Sequence, residues 1–154
     1  MKPNSVKDIL LAEDDPKDVE LTLAALQKHN IVNRVIVVGD GAAALDYLYR
    51  EGEFAHRSTG DPPLVLLDLK MPKLDGLEVL RRIKSDAKLK TIPIVILTSS
   101  REERDIVESY RLGVNAYVVK PVRFQDFVEA VSHLAVFWAL INEPPPESAG
   151  VQAQ

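Results

Sequence analysis

Glu13, Asp14 and Asp15 follow the apolar run Ile9-Leu10-Leu11-Ala12, Asp68 follows Leu64-Val65-Leu66-Leu67, Thr98 follows Ile94-Val95-Ile96-Leu97, and Lys120 follows Tyr117-Val118-Val119. Acids, a hydroxyl and an amine, each at the end of a short apolar run, can handle a phosphoryl group if the runs lie side by side. Two carboxylates about 4 Å apart repel by roughly 4 kcal/mol at an effective dielectric of about 20, so gathering Glu13, Asp14 and Asp68 in one place requires a cation. With oxygen ligands and no His or Cys beside them, that cation is a hard one, Mg²⁺ or Mn²⁺. It would neutralise the pocket and draw in phosphate oxygens, and Lys120 would add a second positive group. An aspartate so placed can attack phosphorus as a carboxylate nucleophile and form an acyl phosphate; Asp68, alone at the end of its run, is the best placed.

Short apolar runs bounded by turn residues read as strands buried on both faces of a parallel sheet, where ligands sit at the carboxyl ends. A fifth run, Val35-Ile36-Val37-Val38, ends in Gly39-Asp40. Between the runs, apolar residues recur at helical spacing: from Pro16 to His29-Asn30, from Ala42 to Arg50, from Asp75-Gly76 to Lys84, from Arg101 to Leu112 with Gly113 as its stop, and from Arg123 to about Ile141. The alternation predicts an α/β domain, a five-stranded parallel sheet with helices on both faces and right-handed crossovers. Glu51 to Pro63, with Gly52, Gly60, Pro62 and Pro63, is long for a connection and reads as a surface loop.

Composition bounds the alternatives. The chain has 154 residues, 46% of them hydrophobic, which suits one core and leaves no room for a separate output domain. The domain is placed at residues 1–141; residues 142–154, which include Pro144-Pro145-Pro146, have little to bury and read as a mobile tail or arm. A net charge of −4 with scattered basic residues argues against a nucleic-acid partner. No apolar stretch approaches the roughly 20 residues of a membrane span, and the N-terminus lacks signal-peptide character, so a cytoplasmic location is expected.

Singly, each acid has a simpler explanation: Asp14, Asp15 or Asp68 could cap a helix or sit in a turn, Thr98-Ser99-Ser100 could cap the fourth helix, and Lys120 could be an exposed strand-end lysine. The conjunction of four strand ends with complementary chemistry outweighs these readings. Taken together, Leu10-Leu11-Ala12-Glu13-Asp14-Asp15, Leu67-Asp68-Leu69-Lys70-Met71-Pro72, Asp75-Gly76, Leu97-Thr98-Ser99 and Tyr117-Val118-Val119-Lys120-Pro121 resemble the receiver domain of two-component response regulators, from about Lys7 to Leu140. The resemblance implies a (βα)5 flavodoxin-like fold with Asp68 as phosphoacceptor. It makes Glu13, Asp14, Asp68 and the backbone carbonyl of Lys70 the Mg²⁺ (or Mn²⁺) ligands, and Asp15 a bystander. It makes Thr98 the switch hydroxyl, Tyr117 the aromatic that moves with it, Lys120 the phosphoryl contact, and the Lys120-Pro121 bond cis. A histidine kinase would be the phosphodonor, and the surface of the fourth helix, fifth strand and fifth helix the output. Phosphorylation and dephosphorylation of itself would be the only reaction such a protein catalyses.

The likeness extends to small stand-alone regulators of phytochrome-type kinases through Glu51-Gly52-Glu53-Phe54, Leu66-Leu67-Asp68-Leu69, Thr98-Ser99 and Phe137-Trp138. Val122 departs from the pattern, standing where an aromatic often follows Lys-Pro. A dehalogenase-type phosphatase would need an acid at position 70, and a flavodoxin-like FMN carrier a glycine-rich loop after the first strand. A phosphorelay intermediate and an interaction module that works without phosphate stay open. Finally, Phe124, Phe127, Val128, Val131, Leu134, Ala135 and Trp138 form one helical stripe for the sheet, whereas Val136, Phe137 and Leu140 fall outside it and predict a homodimer through the fifth helix.

Overall fold

In the computed structural model, which describes residues 8–27 and 34–131, five strands alternate with five helices. The strands are β1 (Ile9–Ala12), β2 (Val35–Val38), β3 (Val65–Leu67), β4 (Ile94–Thr98) and β5 (Ala116–Val119). The helices are α1 (Pro16–Gln27), α2 (Gly41–Tyr49), α3 (Gly76–Ser85), α4 (Glu103–Arg111) and α5 (Phe124–Val131). Every pairing is parallel, in the order β2-β1-β3-β4-β5, which makes β3 central.

Because side chains alternate along a strand, each strand feeds both faces of the sheet. Leu10, Val65, Leu67, Ile94 and Ile96 pack on one face with Leu45 and Leu48 of α2 and with Val79, Leu80 and Ile83 of α3. Ile9, Leu11, Leu66, Val95 and Leu97 pack on the other with Leu26 of α1 and Phe127 of α5. Helices therefore cover both faces, and burial of either layer's apolar surface is the dominant favourable term.

One expectation is corrected. The apolar runs of β1, β3 and β4 are buried throughout, but β2 and β5 are sheet edges and only partly covered; Val37 is 40% exposed. An apolar run announces a strand without ranking it within the sheet. The Glu51 to Pro63 connection is also more ordered than a plain loop, opening with a 3-10 turn at Gly52–Phe54 and clamped by Arg57. The α4 helix begins at Glu103, two residues later than Arg101, and stops at Gly113, whose φ of 102° is one that glycine adopts without strain. The expected continuation of α5 to Ile141, the tail from Asn142 and the dimer candidates Val136, Phe137 and Leu140 lie outside the described residues.

Candidate functional site

Strand register brings the chemical residues together. The ladder continues one step past the strand ends: Glu13 N donates to Val38 O at 2.9 Å, Asp68 N to Ala12 O at 3.0 Å, and Lys120 N to Thr98 O at 2.9 Å. Glu13, Asp68 and Thr98 are thereby held at one edge by backbone bonds, and all three are buried. The turn after Asp68 is equally constrained. Asp75 caps α3 by accepting from Glu78 N at 3.0 Å, and Gly76 lets the helix start press against the strand end, since a Cβ there would stand 2.3 Å from the Asp68 carbonyl oxygen.

Glu13, Asp14 and Asp68 each offer a carboxylate oxygen, and these atoms lie within 4.8 Å of one another. Asp14 is exposed, so the cluster opens to solvent on its side. Asp15 turns away and caps α1, accepting from Lys17 N at 2.8 Å and Asp18 N at 3.3 Å. Lys120 extends from the end of β5 into this cluster. Its Nζ is bonded to Glu13, donates to Asp18 Oδ2 at 2.9 Å and lies 3.5 Å from Asp68 Oδ2. The Lys120-Pro121 peptide bond is cis.

One ammonium among the carboxylates of Glu13, Asp14, Asp18 and Asp68 leaves a formal charge of −3. Burial, with the Asp68 charge adding to it, pushes the Glu13 carboxyl up to about 7, against the lowering effect of its bonds to Lys120 and Asp15 N. Burial alone would pull Lys120 down, but the bonds to Glu13 and Asp18 outweigh it and hold the ammonium above its ordinary value. Asp68 Oδ1 is buried and has no hydrogen-bond partner among the described residues. A buried orphan carboxylate oxygen beside further acidic oxygens is the donor set of a hard divalent cation.

Thr98 is fully buried, and its Oγ1 accepts from Ser100 N at 3.3 Å. The carbonyl of Ser100 in turn accepts from the Tyr117 hydroxyl at 3.1 Å, and its Oγ donates to Asp105 Oδ2 at 2.6 Å. Lys70 stands two residues beyond Asp68 with its Nζ 3.6 Å from the same Asp105 oxygen. A groove of about 480 Å³ lies where α4, β5 and α5 meet, lined by Arg101, Tyr110, Tyr117, Asp126 and Ala130 among others. Sequence reasoning missed Asp18 and Asp105. The first had a usable signal, since an acid in the opening turn of a helix that leaves the strand end must lie near that edge; the second had none.

This edge of acids, hydroxyl and lysine on a doubly wound parallel sheet belongs to a phosphoacceptor signalling class. Residues 9–132 match the response regulator receiver domain, and the chain is a member of that family. It is 41% identical over 135 residues to the response regulator Rcp1 of Synechocystis sp., an alignment that spans 88% of this chain and 90% of Rcp1. The solved structure of the bacteriophytochrome response regulator RtBRR is 58% identical, has a TM-score of 0.81, and spans 97% of this chain and 90% of RtBRR. That of the bacteriophytochrome response regulator AtBRR is 57% identical with a TM-score of 0.82, over 90% of this chain and 99% of AtBRR. Rcp1 has been solved in its Mn(2+)-bound form, 40% identical with a TM-score of 0.73, over 91% of this chain and 99% of Rcp1. The chain is thus a receiver related to phytochrome response regulators.

Proposed function

We propose that this receiver takes a phosphoryl group on Asp68 from a phosphohistidine of a phytochrome-type histidine kinase, in the cytoplasm, and signals by rearranging its α4-β5-α5 surface. The observation that carries the reading is the Asp68 carboxylate itself: buried at the central strand end, with one oxygen unpartnered among the described residues, Lys120 Nζ at 3.5 Å, and the oxygens of Glu13 and Asp14 within 4.8 Å. Support for the kinase class comes from the likeness to RtBRR, AtBRR and Rcp1.

An Asp68 oxygen attacks phosphorus, an O–P bond forms, and the P–N bond to the imidazole breaks with its electron pair leaving on nitrogen, which takes up a proton. Glu13, Asp14, Asp68 and the Lys70 carbonyl would hold Mg²⁺ or Mn²⁺, which when bound neutralises the carboxylates and balances charge on the phosphoryl oxygens. Lys120 supplies a fixed positive group to those oxygens. The phosphoryl group adds about −1.5 to −2 charges to an already acidic pocket and so draws in the nearest donors. Thr98 then gives up its bond from Ser100 N to turn its hydroxyl inward, and Tyr117, tied to Ser100 O, moves with it into the groove beside α4. Hydrolysis of the acyl phosphate resets the protein, so its only catalysis is on itself. Self-association through the residues around Val136, Phe137 and Leu140 belongs to the same proposal and rests on their apolar pattern; light scattering that shows a monomer with and without phosphodonor would end it.

The test is incubation with Mg²⁺ and acetyl phosphate, read by intact mass. The expected result is one alkali-labile phosphate, absent in Asp68→Asn; a variant that takes up label as the parent does would sink the assignment.

A further inference from the structure

The Lys120 ammonium has three N–H donors and faces three carboxylates, of Glu13, Asp18 and Asp68. Asp18 has no part in the reaction as set out above. It lies outside the group of oxygens that would hold a metal ion, and it sits in the first turn of α1, 102 residues before Lys120. Yet its Oδ2 is 2.9 Å from Lys120 Nζ, closer than Asp68 Oδ2 at 3.5 Å. In the resting protein the ammonium is therefore drawn toward α1 and away from the nucleophile.

An arriving phosphoryl group must take one of those donors, and the cost of releasing each carboxylate differs. Glu13 is buried, with its side chain 2% exposed, and gains no hydration by letting the lysine go. Asp68 is the group being modified. Asp18, with its side chain 32% exposed, regains hydration when it lets go.

We propose that Asp18 is a positioning residue of the phosphoacceptor site: it holds Lys120 on the α1 side at rest and yields it to the incoming phosphoryl group, and so limits how fast Asp68 is phosphorylated. The role rests on the reading of Asp68 as phosphoacceptor. It makes α1 sensitive to the state of the site, because the Asp18 carboxylate is paired at rest and free once Lys120 has moved.

The experiment compares the full chain with Asp18→Asn, Asp18→Glu and Asp15→Asn. Asp15 carries the same charge in the same turn and caps α1 without touching Lys120, and Asn caps as well as Asp. Rates are measured with Mg²⁺ and sub-saturating acetyl phosphate. The expected result is a rise of about three- to fivefold in Asp18→Asn, the factor carried by a partly exposed ion pair, with Asp15→Asn at the parent rate and Asp18→Glu returned to it. A second readout needs no turnover: in lysine-ammonium NMR of the protein without phosphodonor, the Lys120 signal should shift and exchange faster in Asp18→Asn and be unchanged in Asp15→Asn. A rate in Asp18→Asn at or below the parent, equal rises in both Asn variants, or an unmoved Lys120 signal overturns the proposal. If melting shows that Asp18→Asn has lost stability, Asp18→Ser, another first-turn residue without the charge, decides by the same criteria. Asp68→Asn is run alongside: label on that variant defeats the phosphoacceptor reading, whereas no label there with an unaltered Asp18→Asn rate defeats the role of Asp18 alone.

Discussion

Lys120 and Arg57 are both cations drawn partly out of water, and the protein handles them in opposite ways. Lys120 is surrounded by acids, and its proton is held more tightly than usual because the bonds to Glu13 and Asp18 outweigh burial. Arg57 makes its hydrogen bonds to neutral groups, with the charges of Arg50 and Asp61 acting on it as lesser, opposing influences. Its Nε donates to Tyr47 O at 3.0 Å, its Nη1 to Thr59 O and Gly60 O, each at 2.9 Å, and its guanidinium carbon lies 4.0 Å from the centroid of the Tyr47 ring. There burial dominates and holds the guanidinium below its ordinary value. Phe54, packed edge-on against the same ring at 5.1 Å, completes the clamp on the loop. The difference separates two jobs. A lysine held by carboxylates can exchange one anion for another when a phosphoryl group arrives, whereas a guanidinium fitted to carbonyls and a ring face has nowhere else to go and fixes the loop in place.

The comparison breaks most directly at Lys120. Lys120→Met should slow phosphorylation by acetyl phosphate by about 10²- to 10³-fold, the usual loss when a preorganised charge facing the transition state is removed. A fall of less than about tenfold in initial rate would mean that Lys120 serves structure, as Arg57 does. The converse substitution, Arg57→Ala, should leave that rate within about twofold and lower stability by about 2–3 kcal/mol in urea, because several carbonyls lose a charged donor and the ring loses its cation. A stable but slow Arg57→Ala protein would reverse the distinction.

A smaller effect sharpens the electrostatic side. Asp14→Asn removes one repelling charge, so the metal-free protein should gain about 0.5–1 kcal/mol. The same variant should lose the Mg²⁺ stabilisation, which in the parent is about 2.7 kcal/mol at a hundredfold excess over Kd. Thermal melts with and without Mg²⁺ measure both, and a full Mg²⁺ response in Asp14→Asn would remove Asp14 from the metal set. The smallest effect concerns an exposed anion held by a neutral donor. The Tyr49 hydroxyl, 2.8 Å from Asp86 Oδ2, and then the Lys88 amide keep that carboxyl below its usual range. A depressed folded-state pKa gives stability that is present above the unfolded value and is lost as pH falls through the folded one. Tyr49→Phe should therefore move the Asp86 titration upward in carboxyl-carbon NMR between about pH 2 and 5. An unmoved titration would leave the backbone amides of Lys88 and Leu89 and the Lys88 charge as the causes.

Most of the candidate site is legible in the sequence because its residues terminate apolar runs. In a parallel sheet the carboxyl ends of all strands face one way, so the types of Glu13, Asp14, Asp68, Thr98 and Lys120 already implied a shared edge. Asp15 could not be separated from its neighbours by type, since a cap and a ligand are both carboxylates; the backbone amides of Lys17 and Asp18 decide it. Asp105 was hidden for another reason. An acid in the first turn of a helix is ordinary, and only the approach of Ser100 and Lys70 makes this one a buried junction.

Local periodicity and turn chemistry alone determined the number and order of the strands and helices along the chain, the glycine stop after α4 and the opening of α3 at Asp75-Gly76, because each depends on residues within a few positions of one another. The tertiary structure decided the rest. That β2 and β5 are edges, that Asp18 reaches a lysine 102 residues away, and that Arg57 closes a loop over Tyr47 all depend on which elements become neighbours. Local pattern places Asp18 near the strand ends but names no partner for it or for Arg57, since such contacts arise only after the apolar faces have been buried and the polar groups left at their margins must find partners.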